Sequence, residues 1–360
     1  MMRGGNGRKR LGAALGVTGE RPSGARGLRG PVALAAVLVL ALGLLAGCSK
    51  TEEGASDQGA GTDESGQVQE EALQVRIGTL PTEDALPFWV AEGEGLFEDA
   101  GLDVEITTFD AAAERDAALT AGAIDCMMGD LIAAGLLEKG GFPVSVTTVM
   151  LGSTPAEGRF GIVAAPGSDV ESLEDLAGVP VGTSTGTIQE YVVDSLFAQA
   201  GVAPSDVVKE EVKKVPVRFE LLMEGQLAAA ALPEPLLSLA EFQGGKIVAD
   251  DTEGDNITQT VLIADDEWLA TEEGAEAMRR LLVVWDEAAK VVNADPDAWR
   301  DTLVEKARLP EPIKDTYAVN TYPTSQLPSE EEVRAVVDWM KRVGLIEGNI
   351  PYNKLVWSSE

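Results

Sequence analysis

The stretch LQVRIGTLPTEDALPFWVAEGEGLFEDAGLDVEITTF, residues 73–109, carries three structural signals in a row. LQVRIGTL (73–80) reads as a strand. PFWVAEGEGLFEDAG (87–101) reads as one helix, with Phe88, Val90, Ala91, Leu96 and Phe97 as apolar points and Gly101 as its stop. LDVEITTF (102–109) reads as a second strand. Strand, helix and strand in succession predict an α/β fold with helices on both faces of a sheet.

The alternation continues outward from this unit. AAERDAALTAG (112–122) reads as a helix closed by glycine, DCMMG (125–129) as a short buried strand, LIAAGLLEKG (131–140) as a helix and VSVTTVML (144–151) as a strand. A second set begins with the strand FGIVAA (160–165). It runs through a short helix VESLEDLAG (170–178), a strand VPVGTS (179–184) and a helix TIQEYVVDSLFAQAG (187–201). RFELLMEG (218–225), LAAAAL (227–232), PLLSLAEF (235–242) and KIVAD (246–250) keep the pattern, and ITQTVLIAD (257–265) is expected to lead the chain back to the first set. The last third is helical. AMRRLLVVWDEAAKVV (277–292) places Met278, Leu281, Leu282, Trp285, Ala288, Ala289 and Val292 on one face. SEEEVRAVVDWMKRVG (329–344) opens with a capping box, Ser329 to Glu332, and lays Val333, Val336, Val337 and Met340 along one stripe, with Trp339 as packing.

The amino terminus has a different character. Seven basic residues, Arg3 to Arg29, precede PVALAAVLVLALGLLAG (31–47), an uncharged run of 17 residues at the short limit for a membrane span. A basic region, an apolar region and small residues at the end make a secretory signal. Leu45-Ala46-Gly47-Cys48 resembles the bacterial lipobox, which implies acylation of Cys48 and its exposure as the mature amino terminus. SKTEEGASDQGAGTDESGQVQEE (49–71) has too little apolar surface to offset chain entropy. It is expected to be a disordered tether with a mean span of about 25–30 Å. Two or three acyl chains, at about 0.8 kcal/mol per buried methylene, would hold such a chain on a membrane.

Composition removes several functions. Residues 1–47 carry seven Lys/Arg and one Glu, so their removal takes the formal charge from −32 to near −38. A surface this acidic repels phosphate backbones, which argues against nucleic-acid binding. The chain has no histidine, so His-based triads, His metal sites and the commonest general base are absent. No CxxC or P-loop pattern occurs, and neither a metal nor a cofactor is expected. Cys126 is the only cysteine besides Cys48, lies in an apolar stretch, and reads as a small core residue.

Three stretches together resemble a known family. VAEGEGLFEDAGLDVEI (90–106) is similar to its opening helix, glycine and strand. SLEDLAGVPVGTSTGTIQEYV (172–192) is similar to the start of its second domain, and LLMEGQLAAAALPEP (221–235) to its small-apolar strand followed by Glu-Pro. The family is the substrate-binding lipoproteins and periplasmic proteins of ABC importers, of the nitrate/sulfonate/taurine and thiamine-precursor type. The resemblance implies a two-lobe type 2 periplasmic binding protein fold with a helical C-terminal segment. The expected organisation is a signal at 1–47, a tether at 48–72, lobe 1 from 73–155 plus 260–360, and lobe 2 from 156–259. Crossovers are expected near 152–159 and 252–262, with ligand in the cleft between the lobes.

Ligands of open α/β lobes sit beyond the carboxyl ends of strands. After the first strand, Thr82, Asp84 and Trp89 are candidates, although Thr82, Glu83 and Asp84 also suit a helix N-terminus as cap and dipole partners. Asp130 follows the third strand; it is a natural N-cap, and the family places ligand contacts there. TSTGT (183–187) puts Ser184, Thr185 and Thr187 before a helix whose free amides would favour an anionic group. Tyr191, one turn in, is expected to pack below. Arg218 follows a strand and starts a helix, where either a carboxylate (Glu220 or Glu234) or an anionic ligand would compensate it. Glu234 either faces the cleft or pairs with Arg218. The mixture suits a small anionic or zwitterionic organic solute.

The leading expectation is therefore a monomeric capture protein, lipid-anchored on the extracytoplasmic face of the cell membrane. It would deliver its solute to separate permease and ATPase chains. The alternatives are an exported enzyme of the same fold, using carboxylates such as Asp84, Asp130 and Glu234, and a tethered ligand sensor.

Overall fold

The computed structural model describes residues 71–357. The expected signal, the lipobox-like stretch with Cys48, and all but the last two residues of the expected tether lie outside the described residues.

Ten strands form two five-stranded sheets. The first sheet holds β1 (Leu73–Thr79), β2 (Leu102–Thr108), β3 (Cys126–Asp130), β4 (Val144–Leu151) and the late strand β10 (Thr260–Asp265), in the order β2-β1-β3-β10-β4. The second holds β5 (Phe160–Ala164), β6 (Pro180–Thr183), β7 (Val208–Glu211), β8 (Ala229–Pro233) and β9 (Lys246–Asp250), in the order β7-β6-β8-β5-β9. In each sheet four strands share one direction, and the strand that follows a crossover, β10 or β5, inserts antiparallel between the third and the last of them. The chain passes between the sheets twice, from β4 to β5 and from β9 to β10.

Helices cover both sheets: α1 (Leu86–Glu94), α2 (Leu96–Asp99), α3 (Ala112–Thr120) and α4 (Leu131–Lys139) in the first half, then α5 (Ile188–Gln199), α6 (Val215–Met223) and α7 (Leu236–Phe242). The C-terminal segment adds α8 (Asp266–Leu269), α9 (Glu272–Ala294), α10 (Arg300–Lys306), α11 (Glu330–Arg342) and α12 (Tyr352–Leu355). The fold is the two-lobed α/β architecture expected, with its helical C-terminal segment.

Long periodic elements follow their sequence signals. Helix α9 buries Met278, Leu281, Trp285, Ala288, Ala289 and Val292; Val284 joins this face and Leu282 lies at its margin. Trp285 meets Phe88 edge-on at 5.0 Å and donates its Nε1 hydrogen to the Pro323 carbonyl at 3.0 Å. Helix α11 carries the capping box: Ser329 Oγ accepts from Glu332 N, and Glu332 Oε2 accepts from Ser329 N at 2.7 Å. Trp339 is buried against Tyr191 at 5.1 Å and donates to Asp194 Oδ2 at 2.9 Å, which ties α11 to α5 of the second lobe. Cys126 is fully buried in the core, and burial pushes its thiol well above the ordinary range.

Three local readings are corrected. The helix expected over 87–101 is two helices, because Gly95 takes the left-handed conformation (φ 75°) that ends α1. The segment 170–178 contains only a one-turn 3₁₀ helix at Glu174–Leu176, since Asp175 draws the Glu171 and Ser172 amides into a turn. Helix α6 begins at Val215 with Pro216 in its first turn, three residues before Arg218.

The crossovers run side by side. Gly152 has φ 84°, and a Cβ there would stand 2.6 Å from the Thr258 carbonyl oxygen. Asn256 Nδ2 donates to the Gly152 carbonyl at 2.8 Å. Asp251 accepts from the Phe160 amide at 2.8 Å and from the Thr258 hydroxyl, so one buried carboxylate joins the two strands.

Candidate functional site

A cavity of about 470 Å³ lies between the lobes, within the size range of small-molecule sites. Lobe 2 supplies Arg159, Glu234, Ser238, Glu241 and Phe242, and the C-terminal segment supplies Ile313, Thr316, Tyr317 and Asn320.

The lobe 2 wall is built on the Glu234-Pro235 turn. Strand β8 ends at Pro233, so Glu234 emerges at the carboxyl end of the sheet and α7 starts two residues later. Arg159, at the end of the first crossover, donates its Nε to Glu234 Oε1 at 2.8 Å. Ser238 adds its hydroxyl to the same oxygen at 2.8 Å and its amide to Oε2 at 3.1 Å. Arg159 also faces Asp250 at 3.7 Å and Glu241 at 3.9 Å. One guanidinium is thus set among three carboxylates.

On the opposite side the turn after β1 forms a short 3₁₀ helix, Glu83–Ala85, that buries Glu83 and Asp84. Tyr317 donates its hydroxyl to Glu83 Oε2 at 2.6 Å, and Tyr322 donates to the Glu83 carbonyl at 2.7 Å. Burial, with Glu234 and Asp84 nearby, pushes the Glu83 carboxyl up to about 8 against the pull of the Tyr317 hydrogen bond. Burial therefore favours the protonated form of Glu83, and the charge of Glu234 adds to the shift.

The sequence candidates divide on this geometry. Glu234 lines the cavity, bonded to Arg159 and not to Arg218. Asp84 is buried beside Glu83, and Thr82 precedes them with its hydroxyl buried and unpartnered. Trp89 packs in the core, 3% exposed, because α1 turns it away from the strand ends. Asp130 is the N-cap of α4, accepting from Ala133 N at 2.8 Å. The amides expected free at the start of α5 are taken by the chain's own carboxylates: Thr185 N donates to Glu211 at 2.9 Å and Gly186 N to Glu190 at 2.6 Å. The Thr187 hydroxyl donates to the Ser184 carbonyl at 2.6 Å, and Ser184 is buried. Arg218 is fully buried under sheet 2, where it donates to the Ala231 and Val212 carbonyls at 2.8 and 2.6 Å. Burial lowers its guanidinium to about 10 with Glu211 opposing the shift. Its place inside α6 points the side chain into the lobe, so neither Glu220 nor Glu234 pairs with it.

Arg159, Phe242, Tyr317 and Tyr322 went unread in the sequence as site residues, and Glu83 was read only as a cap or dipole partner of a helix. Glu83 carried a weak signal, lying between the two candidates Thr82 and Asp84. The others sit in a connector, at a helix end and in an irregular segment, where no pattern marks them.

Among the described residues no helix is long and apolar enough to cross a membrane, and no cluster of three acidic or cysteine side chains could hold a metal ion.

The profile of the NMT1/THI5-like family matches residues 82–299, more than half of the chain. No curated protein matches. Among solved structures, the periplasmic aliphatic sulphonate binding protein SsuA of Escherichia coli superposes with a TM-score of 0.67 at 20% identity, over 79% of this chain and 92% of that one. The alkanesulfonate-binding protein SsuA of Xanthomonas axonopodis pv. citri, bound to MOPS, gives 0.68 at 18%, over 80% and 99%. The nitrate-binding protein NrtA of Synechocystis PCC 6803 gives 0.57 at 16%, over 81% and 92%. At these identities the likeness is one of fold.

Proposed function

The chain belongs to the NMT1/THI5-like family, and from that premise we propose that it is the extracytoplasmic solute-binding component of an ABC importer, held on the membrane by acylated Cys48. A small polar molecule enters the cleft, contacts both lobes, and is handed to a separate permease. The observation that carries this reading is the cavity whose walls come from both lobes, Arg159, Glu234 and Phe242 facing Tyr317 and Asn320. A solute there makes its full set of contacts only when the lobes are together, so binding favours the closed form. The paired crossovers at Gly152, Asp251 and Thr258 are the segment about which the lobes would turn.

A dissociation constant near 1 μM corresponds to about −8 kcal/mol, within reach of a few charge-assisted hydrogen bonds and an aromatic wall. The cavity favours binding over catalysis, because Glu83, whose carboxyl burial pushes up, stands behind the Tyr317 hydroxyl and does not line the cavity.

Native mass spectrometry of the gently purified chain tests the proposal. The expected result is one small molecule per chain, recovered unchanged on denaturation. Recovery of a chemically altered product would identify an enzyme, and absence of any retained or added solute would remove the capture reading.

A further inference from the structure

The charge of the cleft, together with the aromatic side chain at its mouth, points to a solute class. Arg159 is the only basic residue among those lining the cavity, and it is already occupied by Glu234, Asp250 and Glu241. Across the gap stand Glu83 and Asp84, both buried. An incoming sulfonate or nitrate would compete with Glu234 for one guanidinium and then sit among carboxylates. A cation meets the opposite field, because Glu234 and Glu241 line the cavity and accept from it directly. Phe242 adds a second, independent feature. This large apolar side chain is 61% exposed, yet it lines the cavity next to Glu241, which is itself 57% exposed. An exposed ring beside a carboxylate is a surface for a cation's face.

We propose that the solute carries an organic cation, an ammonium, amidinium or guanidinium group, held between Glu234 and Glu241 and covered by the ring of Phe242. The assignment rests on the cleft being the solute site, and it departs from the anionic-or-zwitterionic expectation by giving the ligand a positive head.

The test uses the detergent-solubilised full chain and calorimetric titration at neutral pH with butylammonium, butylguanidinium, butanesulfonate and nitrate. The two cations are expected to bind, while butanesulfonate and nitrate do not. Glu234→Gln should weaken cation binding at least about tenfold, the loss of one charge-assisted hydrogen bond. Because that change also frees Arg159, Phe242→Ala serves as the second variant. Its side chain is exposed, folding is unaffected, and cation affinity should fall about fivefold. Binding of butanesulfonate or nitrate in place of the cations would overturn the charge assignment while leaving the cleft as a solute site. Binding by neither series would overturn it as well, and the solute retained in native mass spectrometry then decides the cleft reading separately.

Discussion

Replacing Glu83 by Gln isolates the cost of a buried acid. The Glu83 carboxyl ordinarily titrates at 4.5 and is pushed up to about 8 by burial, with Glu234 and Asp84 adding to it. Between those values the folded chain holds one proton that the unfolded chain has released. Stability contributed by the neutral acid is therefore full below pH 4.5 and is lost as pH rises toward 8. At about 1.4 kcal/mol for each pH unit, the interval comes to about 5 kcal/mol, reached by about pH 8. Glutamine has the shape of the neutral acid and keeps an oxygen for the Tyr317 hydroxyl, but it does not titrate. Urea unfolding of both proteins at steps from about pH 5 to about pH 9 reads the difference directly. The variant should gain on the parent by roughly 1.4 kcal/mol per pH unit across this interval and hold a constant advantage above it. Parallel stability curves for the two proteins would show that Glu83 is ionised in the folded state, and the description of this wall of the cleft would be wrong.

Other outcomes follow from single contacts. Arg159→Met leaves Glu234 without its ion-pair partner and should cost about 2 kcal/mol in urea unfolding, since the carboxylate remains mostly buried; an unchanged midpoint would mean that Ser238 alone satisfies Glu234. Gly152→Ala forces a Cβ to 2.6 Å from the Thr258 carbonyl at a left-handed position, and should lower thermal stability by about 2 kcal/mol or more. A melting temperature equal to the parent's would indicate that the crossovers separate freely. Cys48→Ala should shift the chain from the membrane to the soluble fraction, and persistent fatty-acid labelling of the variant would refute acylation at that residue.

The parts of the fold written in local pattern could be read before any coordinates. Strand β4 occupies 144–151 as expected, α5 and α9 follow their apolar spacing, and the capping box Ser329–Glu332 starts α11. These signals are legible because a period of two or of 3.6, a cap and a stop are properties of neighbouring residues. The return of the chain was legible for the same reason, as the strand alternation of 257–265, and β10 lies in the first sheet between β3 and β4. Of the residues expected at the site, Glu234 lines the cavity and Asp84 is buried beside Glu83, while Arg218 and Trp89 are buried within their lobes.

Which groups meet was decided by tertiary structure. Arg159 pairs with Glu234 across 75 residues, and Tyr317 reaches Glu83 across 234. Neither partner carries a mark of the other in sequence, because such a contact depends on how two lobes and a C-terminal segment are set in space. A start of helix three residues early buries Arg218, and Glu211 and Glu190 fill an amide nest that sequence alone leaves open. The sequence determines the elements, their order and the two crossings between lobes. The sign of the charge that the cleft presents arises only when the fold sets Glu234, Glu241 and Asp250 around the one guanidinium of Arg159, since an electrostatic field is the sum over everything nearby and not a property of any one residue.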